Sequence, residues 1–294
     1  MPVGELAAVS NAALWALVGT IAKSMPAGVR PIHVTSSHAW TTVVILGVIL
    51  VSLGNLTDLT TMDRGTFFLF VGSGLINSAG SITFWVAISR SQISKVFPTT
   101  QGLFILVTLI SSTIFFDTSL GIGLIGGAIL VLSGVILMNW KRDDASDTNQ
   151  DLRSTLVLIG MMLATAIFWA IGLLTTVEGL KNTEPVIATI IRNGIPAIVY
   201  LTIAIVYPTL GYKKAIAASP AKMLAGGIVF TLASWMFVFA VDNSSPSIVA
   251  VLTNTSPLWA VLLGRIFLKE KMGPRAGIGT ALCVVGIIAV VLIK

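Results

Sequence analysis

The sequence predicts an all-α integral membrane protein: ten transmembrane helices arranged as two inverted five-helix repeats around a central cavity. Three observations carry that expectation: apolar runs long enough to span a bilayer, a polar midpoint flanked by two similar halves, and opposite charge bias in equivalent loops of those halves. Only 10% of the 294 residues are charged and 55% are hydrophobic, against roughly 25% charged in soluble domains. So few charges cannot clothe a soluble surface of this size. A bilayer core offers no water to backbone amides, so spanning segments are helices of about 20 residues or closed barrels. The runs here have helical length and lack the short alternating segments of a barrel.

Ten runs follow in order, at residues 6–22, 34–53, 67–88, 96–116, 120–138, 155–176, 186–207, 223–241, 248–268 and 276–293. The first, in MPVGELAAVSNAALWALVG, has neither a basic leader nor a small-residue cleavage site, and reads as a retained span. The longest polar stretch, WKRDDASDTNQDLRST at 140–155, lies near the midpoint. It divides the chain into a first unit (1–140), a polar linker (141–152) and a second unit (153–294).

The two units match. Sliding Gly227 onto Gly74 pairs Ser81 with Ser234, Phe84 with Phe237, Ser94 with Ser247, Thr100 with Thr253 and Gly126 with Gly279. One further residue of offset aligns the opening spans, setting Trp15 on Trp169, Asn11 on Thr165 and His38 on Arg192. Five spans per unit is an odd number, so the second copy must be inverted relative to the first. Loop charge agrees. FFDTSLG after the fourth span has no Lys or Arg, whereas FLKEKMGPR after the ninth has Lys269, Lys271 and Arg275; Arg64 alone follows the second span, against Lys213, Lys214 and Lys222 after the seventh. Basic residues concentrate on the cytoplasmic side, which puts both termini outside the cytoplasm; the expected location of this multi-pass chain is a cell's inner (plasma) membrane. The net charge of +6 resides in these gaps and is no sign of nucleic-acid binding.

Candidate site residues are the polar and aromatic side chains that membrane spans normally avoid. In the fourth span Ser94, Pro98, Gln101, Thr108 and Ser112 share one face, and such a face looks into protein or water. Hydroxyls there also serve as glue between helices. Gln101 and Asn254 are amides of the fourth and ninth spans, and Pro98 and Pro257 interrupt those spans as candidate hinges. Arg192, well inside the seventh span, must snorkel, pair or face water; its functional reading is a cation awaiting a substrate carboxylate or phosphate. Trp15 and Trp169, each four residues after a polar side chain, form apolar cavity walls. Asn11, His38, Asn77, Ser81 and Trp235 complete the expected substrate-binding set.

One cysteine, Cys283, and two histidines, His33 and His38, exclude a disulfide framework and most metal sites; no cofactor is expected. Asp58, Asp63, Asp117, Glu178, Glu184, Asp242 and Glu270 fall in gaps or at helix ends. A span without a buried carboxylate disfavours proton-coupled antiport and favours transport down the substrate's gradient, with electroneutral exchange as the second option.

These residues resemble the drug/metabolite transporter superfamily, specifically ten-helix EamA-type carriers. The matching features are ALWALVG and IFWAIG, Arg192, the proline-bearing stretch from Ser247 through Glu270, and a glycine-rich closing span. Asp117 stands where that family has Glu, and His38 where Arg is common. The resemblance implies a basket of helices, with spans 1, 3, 4, 6, 8 and 9 around the cavity and 5 and 10 peripheral. It also implies export of amino acids or related metabolites, aromatic amino acids among them. Sugar-phosphate or nucleotide-sugar exchange, a channel and a structural membrane protein remain alternatives. An enzyme is not expected, since neither HExxH nor GxSxG occurs. The expected partners are a small-molecule substrate and the lipid bilayer, with no nucleic acid, and the expected state is a monomer.

Overall fold

The computed structural model describes residues 3–26, 29, 31–52, 61–90, 93–117, 119–139, 152–207, 211–267 and 274–293. Among these residues every long regular element is a helix: α1 (Val3–Lys23), α2 (Pro31–Ser52), α3 (Arg64–Arg90), α4 (Ile93–Phe116), α5 (Ile122–Asn139), α6 (Leu152–Leu180), α7 (Pro185–Val206), α8 (Tyr212–Ala218), α9 (Pro220–Asn243), α10 (Pro246–Thr253), α11 (Ser256–Phe267) and α12 (Pro274–Leu292). Prolines open α2, α7, α9, α10 and α12, because an N-terminal residue has no intrahelical acceptor for the amide that Pro lacks. Asp63 receives the Thr66 amide at 3.1 Å and starts α3, and Ser245 receives that of Ile248 at 3.4 Å and starts α10.

Several helices begin about three residues before the apolar run read from sequence, since their first turn is polar and extends beyond the apolar segment. Helices α1, α2, α3, α4, α6, α7 and α9 are long and apolar enough to cross a membrane. The apolar parts of α5 and α12 are shorter. The ninth expected span is two helices: the chain leaves α10 at Asn254, and Pro257 lies in the opening turn of α11. A proline cannot donate the amide bond that would carry the helix across that point. The fourth span behaves differently, running as continuous helix through Pro98. Pro98 is the sixth residue of α4, so it leaves the Ser94 carbonyl without its helical amide, yet the helix continues. The side chains of Ser94, Lys95, Pro98, Pro257 and Arg265, and all of Glu270 and linker residues 141–151, lie outside the described residues.

The chain forms two compact units that cut across its sequence halves: one comprises Ile76–Leu174 with Ser244–Lys294, the other Pro2–Leu75 with Thr175–Asn243. In the first, α5 and α12 pair antiparallel through small residues. Gly134 lies against the Gly279 carbonyl, Gly127 against Gly286 and Val290, and Gly123 against Ile293, while Cys283 Sγ donates to the Val131 carbonyl at 3.6 Å. An added Cβ at Gly134 would stand 2.5 Å from that carbonyl, so glycine is what lets these backbones meet without a hydrophobic drive between helices. Phe84, Ala87, Val96 and Met162 form an apolar cluster beside Trp169. In the second unit α9 packs against α1, α2 and α7, and α2 meets α7 through Ala39, Ala197 and Tyr200.

Candidate functional site

The second unit holds the most chemically distinctive residue of the described spans, Arg192 of α7. Its Nε donates to Ser73 Oγ at 3.3 Å, and its guanidinium carbon lies 4.8 Å from the centre of the Phe237 ring. Ser73 is held in turn by Thr176, 2.8 Å away. No carboxylate pairs with Arg192 among the described residues, and its two terminal nitrogens meet no acceptor there. Because Pro196 sits four residues on, it gives the Arg192 carbonyl no helical amide. That carbonyl instead faces α3, where a Cβ added at Gly74 would stand 2.8 Å away. A cation stacked on one aromatic ring, positioned through one nitrogen and otherwise unpaired, can receive an anion in bidentate fashion.

His38 of α2, the counterpart of Arg192 in the sequence repeat, stands in a corresponding contact. Where Arg192 meets Ser73, His38 meets the residue matched to Ser73, Gly226, whose added Cβ would lie 2.6 Å from Nε2. Likewise Gly74 packs on Ile195, and the matched pair Gly227 and Thr41 also touch. His38 is buried, stacks on Phe230 at 5.3 Å, and leaves Nε2 without a hydrogen bond. Trp15 meets the same Phe230 edge-on at 5.3 Å and remains 44% exposed. Asn11 donates to the Ala233 carbonyl at 2.8 Å while its own oxygen stays buried and unpartnered. One residue along α9, Ser234 receives the Asn193 amide at 2.8 Å. Trp235 packs beside Phe239 with its indole N–H unsatisfied. Asn11, Trp15, His38 and Trp235 thus meet on or beside α9, with Arg192 reaching the same helix at Phe237.

The first unit holds the other half of the expected set. Trp169 is packed by Phe84 at 5.2 Å, by Phe104 at 6.3 Å and by Gly80. Ser81 turns back to the Asn77 carbonyl, and Asn254 to the Ala250 carbonyl at the break between α10 and α11. Gln101 is half-buried and makes no side-chain hydrogen bond to described residues. Ser112 bonds Ser247, which makes that hydroxyl pair interhelical glue.

A family model for the EamA-like transporter family matches residues 2–140 and again 156–292. The chain belongs to the EamA-like transporter family. A curated relative of this EamA-like protein, an uncharacterized transporter of Archaeoglobus fulgidus, is 25% identical over 235 residues, covering 79% of this chain and 78% of its own. A solved crystal structure, described only as that of a protein, has a TM-score of 0.80 at 15% identity and covers 99% of this chain and 98% of that one. Its likeness is one of fold.

One acidic residue of this EamA-like chain was not weighed from the sequence. Glu5 lies in the first turn of α1, just before the expected span, and is only 3% exposed with Oε2 lacking a partner; a carboxylate is therefore buried in an apolar helix. The residues that shape the Arg192 site, Ser73, Gly74, Thr176 and Phe237, were not expected either. The spacing Arg192–Pro196 was the one local signal available; the others are ordinary apolar-helix residues whose role appears only through contact.

Proposed function

We propose that this EamA-like protein is a carrier that exports or equilibrates small carboxylate-bearing metabolites, amino acids and aromatic amino acids among them, across the inner (plasma) membrane by alternating access. The observation that carries the reading is Arg192, a cation with free donors and no acidic partner among the described residues. A permanently charged guanidinium in a span is retained only where something polar meets it, and a substrate carboxylate fits its planar fork. Phe237 beside it supplies an apolar surface for a side chain. Ten spans in two inverted repeats are the framework. Support comes from the family match to both repeats and from the opposite run of α5 and α12, the closing helices of the two repeats.

The test is counterflow in proteoliposomes preloaded with amino acids, sugar phosphates or cationic drugs. Saturable, stereoselective exchange of amino acids supports the reading, and exchange confined to phosphorylated sugars would replace it. Non-saturable, non-selective flux would mark a channel.

A further inference from the structure

A groove separate from Arg192 opens between α2, α8 and α9, with a volume of about 360 Å³. That places it at the small end of ligand clefts, which span ~300–1,000 Å³. Its wall changes character along α2. At the N-terminal end stand His33, Ser36 and Tyr212, with the His33 and Tyr212 rings edge-to-face at 4.8 Å. Further along, Trp40, Val44, Ile216 and Leu224 make it apolar, each more than a third exposed. A polar mouth leading into an apolar trough has the polarity of a lipid molecule.

Charge at the mouth selects the lipid. The segment 207–222, which carries α8 beside this end of α2, contains Lys213, Lys214 and Lys222 and no Asp or Glu. Lys213 and Lys214 are exposed on α8. Lys222 donates to the Ser24 carbonyl at 2.5 Å, which ties the start of α9 to the end of α1. The Tyr212 hydroxyl donates to the Ile32 carbonyl at 3.5 Å, which holds α8 against the start of α2 at this mouth.

We propose that this groove binds one anionic phospholipid, its phosphate at Lys213 and Lys214 and one acyl chain along Trp40, Val44, Ile216 and Leu224. Clusters of basic residues at a membrane surface attract acidic headgroups, and the trough gives the chain a place that an exposed helix face lacks. This does not rest on the transport reading.

The experiment is native mass spectrometry of the full-length protein released from nanodiscs of phosphatidylglycerol mixed with phosphatidylcholine. The expected result is one retained phosphatidylglycerol per chain, reduced about tenfold in the Lys213→Gln/Lys214→Gln variant. Val44→Trp, which fills the trough and leaves the lysines, should reduce retention as well; circular dichroism and elution volume report that both variants are folded. Equal retention of the two lipids, or undiminished phosphatidylglycerol in both folded variants, overturns the site. So does displacement by millimolar inorganic phosphate alone, which would mean that the lysines bind an anion and the trough binds nothing.

Discussion

Arg192 and His38 occupy matching positions in the two repeats, yet the structure surrounds them differently. Arg192 finds a hydroxyl at Ser73 and an aromatic face at Phe237. His38 finds the bare backbone of Gly226 and the ring of Phe230, and its Nε2 finds no partner. A repeat therefore conserves the contact without conserving its chemistry. An always-charged group has kept donors to spare, while an imidazole that can be neutral is packed as an aromatic. The asymmetry points to one anion-receiving site in the pair of repeats.

The largest effect should come from removing the cation. Arg192→Ala is expected to reduce carboxylate transport in proteoliposomes by roughly tenfold to a hundredfold, from the ~1.5–3 kcal/mol of a charge-assisted hydrogen bond, with expression and elution unchanged. Arg192→Lys should recover part of it, since the ammonium keeps charge but loses the fork and the stack on Phe237. His38→Phe should leave transport within about twofold, because that site offers ring packing and no charge. Normal transport in Arg192→Ala would mean that the arginine only snorkels.

The next effect is on packing, and it is a test of whether the contacts are equivalent. Gly74→Ala forces a Cβ to 2.8 Å from the Arg192 carbonyl, a backbone atom; Gly226→Ala forces one to 2.6 Å from the tip of the His38 ring. Overpacking costs about 1–3 kcal/mol, and a side-chain tip yields more easily than a backbone. Gly74→Ala should therefore lower the thermal midpoint in detergent more than Gly226→Ala, and should alone reduce transport per folded molecule. The reverse order would remove the distinction between the two contacts.

Much of this fold was legible because bilayer helices must be long and apolar, and residues 6–22 or 223–241 announce themselves by composition alone. Arg192 was legible for the same reason, as a charge where none belongs. Its setting was not: Ser73 and Thr176 are separated by more than a hundred positions, and a hydroxyl in an apolar helix carries no periodic signal of its neighbour. Helix α8 was hidden because Lys213 and Lys214 followed by Ser219–Pro220 read as a loop. The break at Asn254 was foreshadowed by Pro257, whereas Pro98 carried the same sign and the helix runs on through it.

The smallest expected effect concerns Glu5, the carboxylate that the span boundary concealed. It sits in the first turn of α1, where the unsatisfied amides of a helix N-terminus favour negative charge by roughly 0.3–1 kcal/mol. That position accounts for a carboxylate without assigning it to transport. Glu5→Gln should therefore change stability by no more than ~1 kcal/mol and leave amino-acid counterflow the same with and without a pH gradient. If wild-type uptake instead requires the gradient and Glu5→Gln abolishes that requirement, Glu5 is the coupling group. Movement down the substrate's own gradient would then give way to proton exchange, with Arg192 still binding the substrate.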